Sequence, residues 1–275
     1  MKTIGIYTNP FKDPELIITR QLLAALTARG VQPLLMRETA QLLGLEGLTE
    51  EAFFDQAQIV IVAGGDGTVL RIAQKVMERR IPVLSINLGR VGFLTEVDTG
   101  EIEPAVDRLL RGDFDVEWRM MLTATSGGAT RCALNEMAVQ RYQTSRMVRF
   151  SILVSGVEVD RFSADGVIVA SPTGSTAYSL SAGGPVLSPH LEALVITPIC
   201  AHTLHSRPVI VSSHEQVCIR PSGGEAYWSA DGTAVAPLEG EIVVSRAPQD
   251  ALFIRFGEKN FYARLRTKLS EWNER

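Results

Sequence analysis

The sequence predicts a two-part α/β protein: an α/β domain over residues 1–113, a β-rich domain over 114–256, and a terminal helix within 257–275. Three observations carry this. Apolar runs alternate with segments of helical periodicity up to about residue 113. Beyond it, short β-type runs are separated by turns such as Ser126-Gly127-Gly128, Ser222-Gly223-Gly224 and Ala247-Pro248. Between residues 59 and 63 an unbroken apolar run feeds directly into Gly64-Gly65-Asp66-Gly67-Thr68, as a strand buried on both faces feeds a ligand loop.

In chain order, residues 3–7 read as a strand turned by Thr8-Asn9-Pro10. Residues 14–29 place Leu16, Ile17, Leu22, Leu23 and Leu26 at helical spacing, and Gly30 stops them. A second strand over 31–36 leads through a looser stretch containing Gly44 and Gly47 to a short helix near 50–56. The strand and glycine loop at 59–68 follow, then a helix over 69–80 with Val69, Ile72, Ala73, Val76 and Met77 on one face. A strand at 82–86 and a helix at 104–110, ended by Gly112, complete a Rossmann-like parallel domain with right-handed crossovers. Ligands in such sheets collect at the C-terminal strand ends, here 8–10, 64–68 and 87–92. The second part reads as an antiparallel, sandwich-like array with strands at 114–121, 130–134, 137–141, 148–154, 167–170, 194–199, 209–211, 217–220, 241–245 and 251–255. A last helix over 261–272 is expected to return to the first domain.

Composition narrows the function. With 275 residues, 45% hydrophobic and 21% charged, the chain suits a soluble globular protein, and its net charge of −4 argues against nucleic acid as a partner. Cys132, Cys200 and Cys218 form no CxxC pair or disulfide framework, which suits a reducing cytoplasm. The first residues show no signal-peptide h-region, and no apolar run approaches spanning length, so no membrane is expected.

A strand, glycine loop and helix aim main-chain N–H groups at an anion. Gly64, Gly65 and Gly67 lack a Cβ and can take positive φ, so a phosphate can come close. The loop has neither the Gly-Lys-Ser/Thr of a Walker A motif nor the third glycine of a dinucleotide fingerprint, since position 70 is Leu70. Asp66 repels phosphate and needs another task. It either accepts a proton from a substrate hydroxyl or caps the helix. Three further polar clusters lie in the second part: Asn135-Glu136, the segment from Asp165-Gly166 through Ser171-Pro172-Thr173-Gly174-Ser175-Thr176-Ala177-Tyr178, and Ser229-Ala230-Asp231-Gly232-Thr233. Each also reads as an ordinary turn. Ser175 is not in a nucleophile elbow. His202 and His205 lack the partners of a zinc site, so no protein metal site is expected, and His190 and His214 are isolated.

With Leu88-Gly89-Arg90-Val91-Gly92-Phe93-Leu94-Thr95-Glu96 and the run on to Ser179-Leu180-Ser181-Ala182-Gly183-Gly184-Pro185, these motifs resemble the NAD kinase family in order and spacing, over nearly the whole chain. The resemblance implies transfer of the γ-phosphoryl of ATP to the adenosine 2′-hydroxyl of NAD, with Asp66 as proton acceptor. It implies dinucleotide contacts from Gly65, Gly67, Arg71, Asn135, Glu136, Arg146, Asp165 and Thr233. Thr176, Ala177, Tyr178, Ser179, Leu180 and Ser181 would wrap the adenine side. A basic residue that the family often carries two positions before the aspartate is Ser163 here. A divalent cation, Mg²⁺, would accompany ATP, the active site would lie in a cleft between domains, and a homodimer or homotetramer would form through the β-rich part. Two other readings are a lipid kinase, which shares the glycine loop but needs an apolar acceptor pocket, and a dinucleotide sensor, which needs no base.

Overall fold

The apolar run before the glycine loop becomes the middle of a parallel sheet, and every residue of that strand is buried. A computed structural model describes residues 3–89, 92–142, 147–257 and 261–273, without the side chains of 234 and 271–273. The chain divides into two units, Met1–Trp118 with Ala251–Arg275, and Arg119–Asp250.

The first part runs β1 (Ile4–Thr8), α1 (Ile17–Thr27), β2 (Leu34–Leu35), α2 (Arg37–Leu43), α3 (Glu50–Gln56), β3 (Ile59–Gly64), α4 (Asp66–Glu78), β4 (Val83–Asn87), β5 (Val97–Asp98), α5 (Ile102–Arg111) and β6 (Asp115–Arg119). The middle contributes β7 (Leu122–Ser126), β8 (Ala129–Ala133), β9 (Glu136–Arg141), β10 (Val148–Val154), β11 (Val157–Ala164), β12 (Gly166–Ala170), α6 (Tyr178–Ser181), β13 (Ala193–Ile199), β14 (Val209–Ser212), β15 (Val217–Ser222), β16 (Ala226–Ala230), β17 (Thr233–Pro237) and β18 (Ile242–Arg246). The chain closes with β19 (Ala251–Arg255) and α7 (Phe261–Asn273).

Among the described residues the first sheet has the order β2-β1-β3-β4-β19-β6, with β5 beside β4. β3 is parallel to both neighbours, Ile61 facing Ile6 on one side and Leu84 on the other. α4 buries Val69, Ile72, Ala73, Val76 and Met77, the stripe its spacing predicts. Burial of a complete Leu, Ile or Phe side chain contributes about 1.5–3 kcal/mol, so this stripe fixes the helix, and with it the loop, against the sheet.

The second unit stacks two antiparallel sheets, β11-β10-β15-β18-β7-β8 and β14-β13-β12-β9-β16-β17. Phe150, Ile152, Ile219 and Val244 of one share a core with Met137, Val139, Val167, Val169 and Trp228 of the other. Strand alternation turns Glu136, Ala138 and Gln140 of β9 to the opposite face. There Ala138, Ile168 and Ala170 pack with Leu187, Val195 and Ile199.

Several elements differ from the sequence expectation. The β-runs at 115–119 and 251–255 fall within the stretch assigned to the β-rich domain, yet both lie in the first sheet, β19 parallel to β4. A short apolar run carries no information about its partner, although the continuous burial of Ala251, Leu252, Phe253 and Ile254 matches a central parallel strand. Helix α2 occupies the stretch read as loose, burying Thr39 and Ala40 and ending at Gly44 with φ +70°. Strands β5, β7, β11, β16 and β17 were not legible, the run read over 114–121 ending before β7 begins. β11 carries three charges in eight residues and is half exposed, and it gains its place by pairing with β10 across the Ser155-Gly156 turn.

Candidate active site

Gly65 is extended, with φ −115° and ψ −171°, so α4 begins at Asp66. None of Gly64, Gly65 and Gly67 has positive φ, so left-handed freedom is not what this loop uses. Close approach is: a Cβ on Gly64 would collide with the Thr68 side chain. Asp66 does not cap its helix. Its Oδ2 accepts the Phe93 N–H at 2.8 Å and its Oδ1 the Leu94 N–H at 3.1 Å. A Cβ on Gly92 would strike Oδ1, so glycine there makes room for the carboxylate. A carboxylate has about four acceptor positions, so two amides fix its orientation and leave each oxygen a free lone pair.

The turn after β1 meets this loop. The Asn9 N–H donates to the Ala63 carbonyl at 3.2 Å, and the Asn9 carbonyl accepts the Lys12 and Asp13 N–H groups. Lys12 Nζ then lies 3.0 Å from where a Cβ on Gly65 would stand. A lysine over the glycine loop therefore comes from a separate turn, which a search within the loop misses. Arg71, exposed in the second turn of α4, is near enough for its charge to lower the Tyr7 hydroxyl pKa, which burial raises more strongly.

In the second unit, register sets Glu136 beside Ala170 and Met137 beside Ala230, so three strand ends meet. Asp231 joins them. Its Oδ2 accepts the Leu134 N–H at 2.8 Å, and its Oδ1 accepts those of Asn135 and Glu136 at 2.8 and 3.1 Å. Asp231 takes φ +49°, a left-handed conformation that Asp and Asn tolerate best among residues with a Cβ. The loop after β12 closes the group. Ser171 Oγ donates to the Leu134 carbonyl at 2.5 Å, and a Cβ on Gly174 would collide with the Asn135 carbonyl.

Glu136 is buried, and its Oε2 has no partner among the described residues. Burial first, and then the Asp231 charge, push its carboxyl up to about 8, against a hydrogen bond from the Tyr178 N–H. At neutral pH it is therefore protonated. A raised carboxyl pKa means the folded state binds more protons between the ordinary carboxyl range and about 8. This contribution to stability is complete below the unfolded pKa and falls as pH rises through that window. Glu136→Gln is expected to remove the dependence: the wild-type unfolding midpoint relative to the variant's should decline from pH 5 to pH 8.5, as measured by thermal unfolding at constant ionic strength.

Tyr178 extends along the same face. Its hydroxyl accepts from Gln140 Nε2 at 3.2 Å, and Gln140 Oε1 accepts the Tyr227 hydroxyl at 3.2 Å. Asp165 precedes β12, at the strand's opposite end from Ala170, and Arg141 Nε donates to it at 2.8 Å. Ser179 Oγ pairs with Thr197 Oγ1 at 2.8 Å in the interior, and Thr176 Oγ1 donates to the Thr173 carbonyl. Ala177 and Leu180 are half-buried and Ser181 is exposed. Thr233 Oγ1 donates to the Ala230 carbonyl at 2.9 Å. Arg146 lies outside the described residues, as do Arg90 and Val91 of the second motif. Sequence reasoning missed Lys12, Gln140, Arg141, Tyr227 and Asp231. The Asp231-Gly232 doublet was visible, but as a turn; its bonds to residues almost a hundred positions away were not.

A glycine loop holding an oriented carboxylate suits a phosphotransferase acting on an alcohol. Residues 4–114 match the ATP-NAD kinase N-terminal domain and residues 134–262 the ATP-NAD kinase C-terminal domain. NAD kinase from Desulforamulus reducens is 41% identical over 99% of this chain and 98% of its own length. The Moorella thermoacetica NAD kinase is 40% identical over 100% and 91%. The chain belongs to the NAD kinase family. Among solved structures, an Archaeoglobus fulgidus NAD kinase in complex with ATP superposes with a TM-score of 0.81 at 29% identity, covering 97% of this chain and 99% of that one. Yeast NADH kinase complexed with NADH shares the fold, with a TM-score of 0.91 at 24% identity over 98% and 88%.

Proposed function

We propose that this enzyme moves the γ-phosphoryl of ATP to the adenosine 2′-hydroxyl of NAD, with Asp66 accepting the hydroxyl proton. The supporting observation is the Asp66 carboxylate itself, oriented by the Phe93 and Leu94 amides with a lone pair open on each oxygen. A reaction dominated by positioning and charge needs a fixed acceptor more than a strong base. Gly65, Gly67 and Arg71 would serve the phosphates. Asn135, protonated Glu136, Asp165 and Tyr178 would hold the dinucleotide's hydroxyls and rings, with Ala177 leaving room and Leu180 adding apolar surface. Thr176, Ser179 and Thr233 would act by shaping the backbone, because their hydroxyls already have protein partners. Among the described residues no group of three His, Cys, Asp or Glu is placed to hold a metal. A Mg²⁺ would therefore enter on the triphosphate, where it neutralises phosphate charge.

Lys12 supplies the second cation of this reading. Lys12→Met is expected to raise the KM for ATP about tenfold and to leave that for NAD within twofold, the size of one lost charge-assisted hydrogen bond. Initial rates at fixed ionic strength check it. The overall reading is tested by a coupled assay with NAD, ATP and Mg²⁺: NADP is the expected product, and tight NAD binding without turnover would instead identify a sensor. A cytoplasmic location is supported by a sequence whose three cysteines form no CxxC pair or disulfide framework. Among the described residues no helix is long and apolar enough to cross a membrane. Self-association is supported by the edge strand β14, where Val209 and Ile210 are 36% and 51% exposed.

A further inference from the structure

The loop whose amides hold Asp66 is itself held from its other side. Arg264 of α7 is buried, 6% exposed, and its Nη1 donates to the Phe93 carbonyl at 3.2 Å and to the Thr95 carbonyl. Arg255, the last residue of β19, donates from Nη1 to the Leu94 carbonyl at 3.1 Å, which also accepts Ser85 Oγ at 2.7 Å. Glu96 binds both guanidinium groups through Oε2, at 2.7 Å to Arg264 and 3.0 Å to Arg255, while its Oε1 accepts the Phe256 N–H at 2.9 Å. Glu117 takes the Nε of Arg255 at 2.6 Å. Residues 93–95 thus give N–H groups to Asp66 and carbonyls to two arginines, and the charges of the arginines are matched by two glutamates. The Phe93 ring also meets Phe261 of α7 at 5.9 Å between centroids.

We propose that Arg264 is a positioning residue for phosphoryl transfer: α7 grips the carbonyls of residues 93 and 95 and thereby sets the Phe93–Leu94 peptide, whose Leu94 N–H helps orient the Asp66 carboxylate. The inference rests on the reading of Asp66 as proton acceptor. A peptide unit is rigid, and the Phe93 carbonyl shares its plane with the Leu94 N–H, so a carbonyl held by Arg264 fixes the direction of the N–H given to Asp66. Removing the guanidinium lets the Phe93–Leu94 peptide plane rotate and with it the carboxylate. The arrangement is costly to hold. Burial first, and then the Arg255 charge, push Arg264 down from arginine's ordinary value while Glu96 pulls it back. Anchoring a helix to the sheet needs no buried charge, since apolar residues of similar volume do that as well. Binding two peptide carbonyls and the Glu96 carboxylate in fixed directions does need the planar fork of arginine.

Steady-state kinetics on Arg264→Ala, Arg264→Lys and Asp66→Asn test this, with thermal unfolding recorded for each. Arg29→Ala serves as control, because Arg29 ties α1 to α5 through Asp107 and Glu103 and touches none of the loop. Arg264→Ala is expected to lose about 100-fold in kcat with both KM values within threefold, the scale of an ångström's misplacement of a reacting group. Added methylguanidinium should restore at least tenfold of that loss. Arg264→Lys keeps the charge without the fork and should fall between. If Arg264→Ala does not fold, the lysine variant decides by the same split. The proposal is overturned if a folded Arg264 variant keeps kcat within twofold of wild type. It is equally overturned if kcat and both KM values change together, without rescue. Turnover surviving in Asp66→Asn would instead remove the proton-acceptor reading.

Discussion

Asp66→Asn is expected to lower kcat by about 10²–10⁴-fold, the usual range for removing a positioned general base. The KM for NAD should stay within a few-fold, because most of the residues proposed to hold the dinucleotide belong to other elements. Asparagine is close in size and keeps one acceptor oxygen for the Phe93 or Leu94 N–H, so the fold should survive. Its NH₂ group faces the other amide, and that single mismatch costs about 1–3 kcal/mol of stability. Equilibrium binding of NAD to the variant separates lost chemistry from lost binding. A variant that binds NAD normally and still turns over within tenfold of wild type would show that the carboxylate accepts no proton.

The second large effect is expected at Asp231. Alanine there leaves the Leu134, Asn135 and Glu136 amides without their acceptor. It also places a residue with no local hydrogen bond in a left-handed conformation. Together these should cost about 2–4 kcal/mol in unfolding free energy, because buried amides left unpaired cost more than the bond was worth. The Asn135-Glu136 junction would move, so the KM for NAD should rise by an order of magnitude or more. Asp231→Asn tolerates the backbone and keeps an acceptor, so it should sit between the two. It also removes the charge that helps raise Glu136, so the Glu136 carboxyl should titrate below its present value of about 8. Denaturant unfolding and NAD saturation curves measure both effects. Alanine behaving like wild type in both would remove Asp231 from the site.

Much of this was legible in the sequence because it depends on local patterning. The strand at β3, the glycine loop and the apolar stripe of α4 each follow from residues within twenty positions of one another, and so does the position of Asp66 at their junction. The β-rich part was legible as a class but not as a topology. β19 has the composition of its antiparallel neighbours, and only its pairing with β4 shows where it belongs. The illegible parts of the site share one cause, which is contact at long range. Arg264 lies two positions from Tyr262 and from Arg266 in α7, both of which are exposed, and nothing local marks it as the buried member. Lys12 follows a proline turn and reads as solvated until the Asn9 N–H bonds Ala63. Glu136 was expected to contact the dinucleotide; its raised carboxyl arises first from burial and then from the Asp231 carboxylate in a distant turn, and no spacing rule connects either to it. The capping alternative for Asp66 was equally plausible by propensity and failed because the 92–94 loop offers two amides in a better place.

The most direct measurement is a crystal structure of the enzyme with NAD bound. An Asp66 carboxylate oxygen is expected about 2.6–3.2 Å from the adenosine 2′-oxygen, or joined to it by a single water. A carboxylate facing only Phe93 and Leu94, beyond reach of that oxygen even through one water, would contradict it.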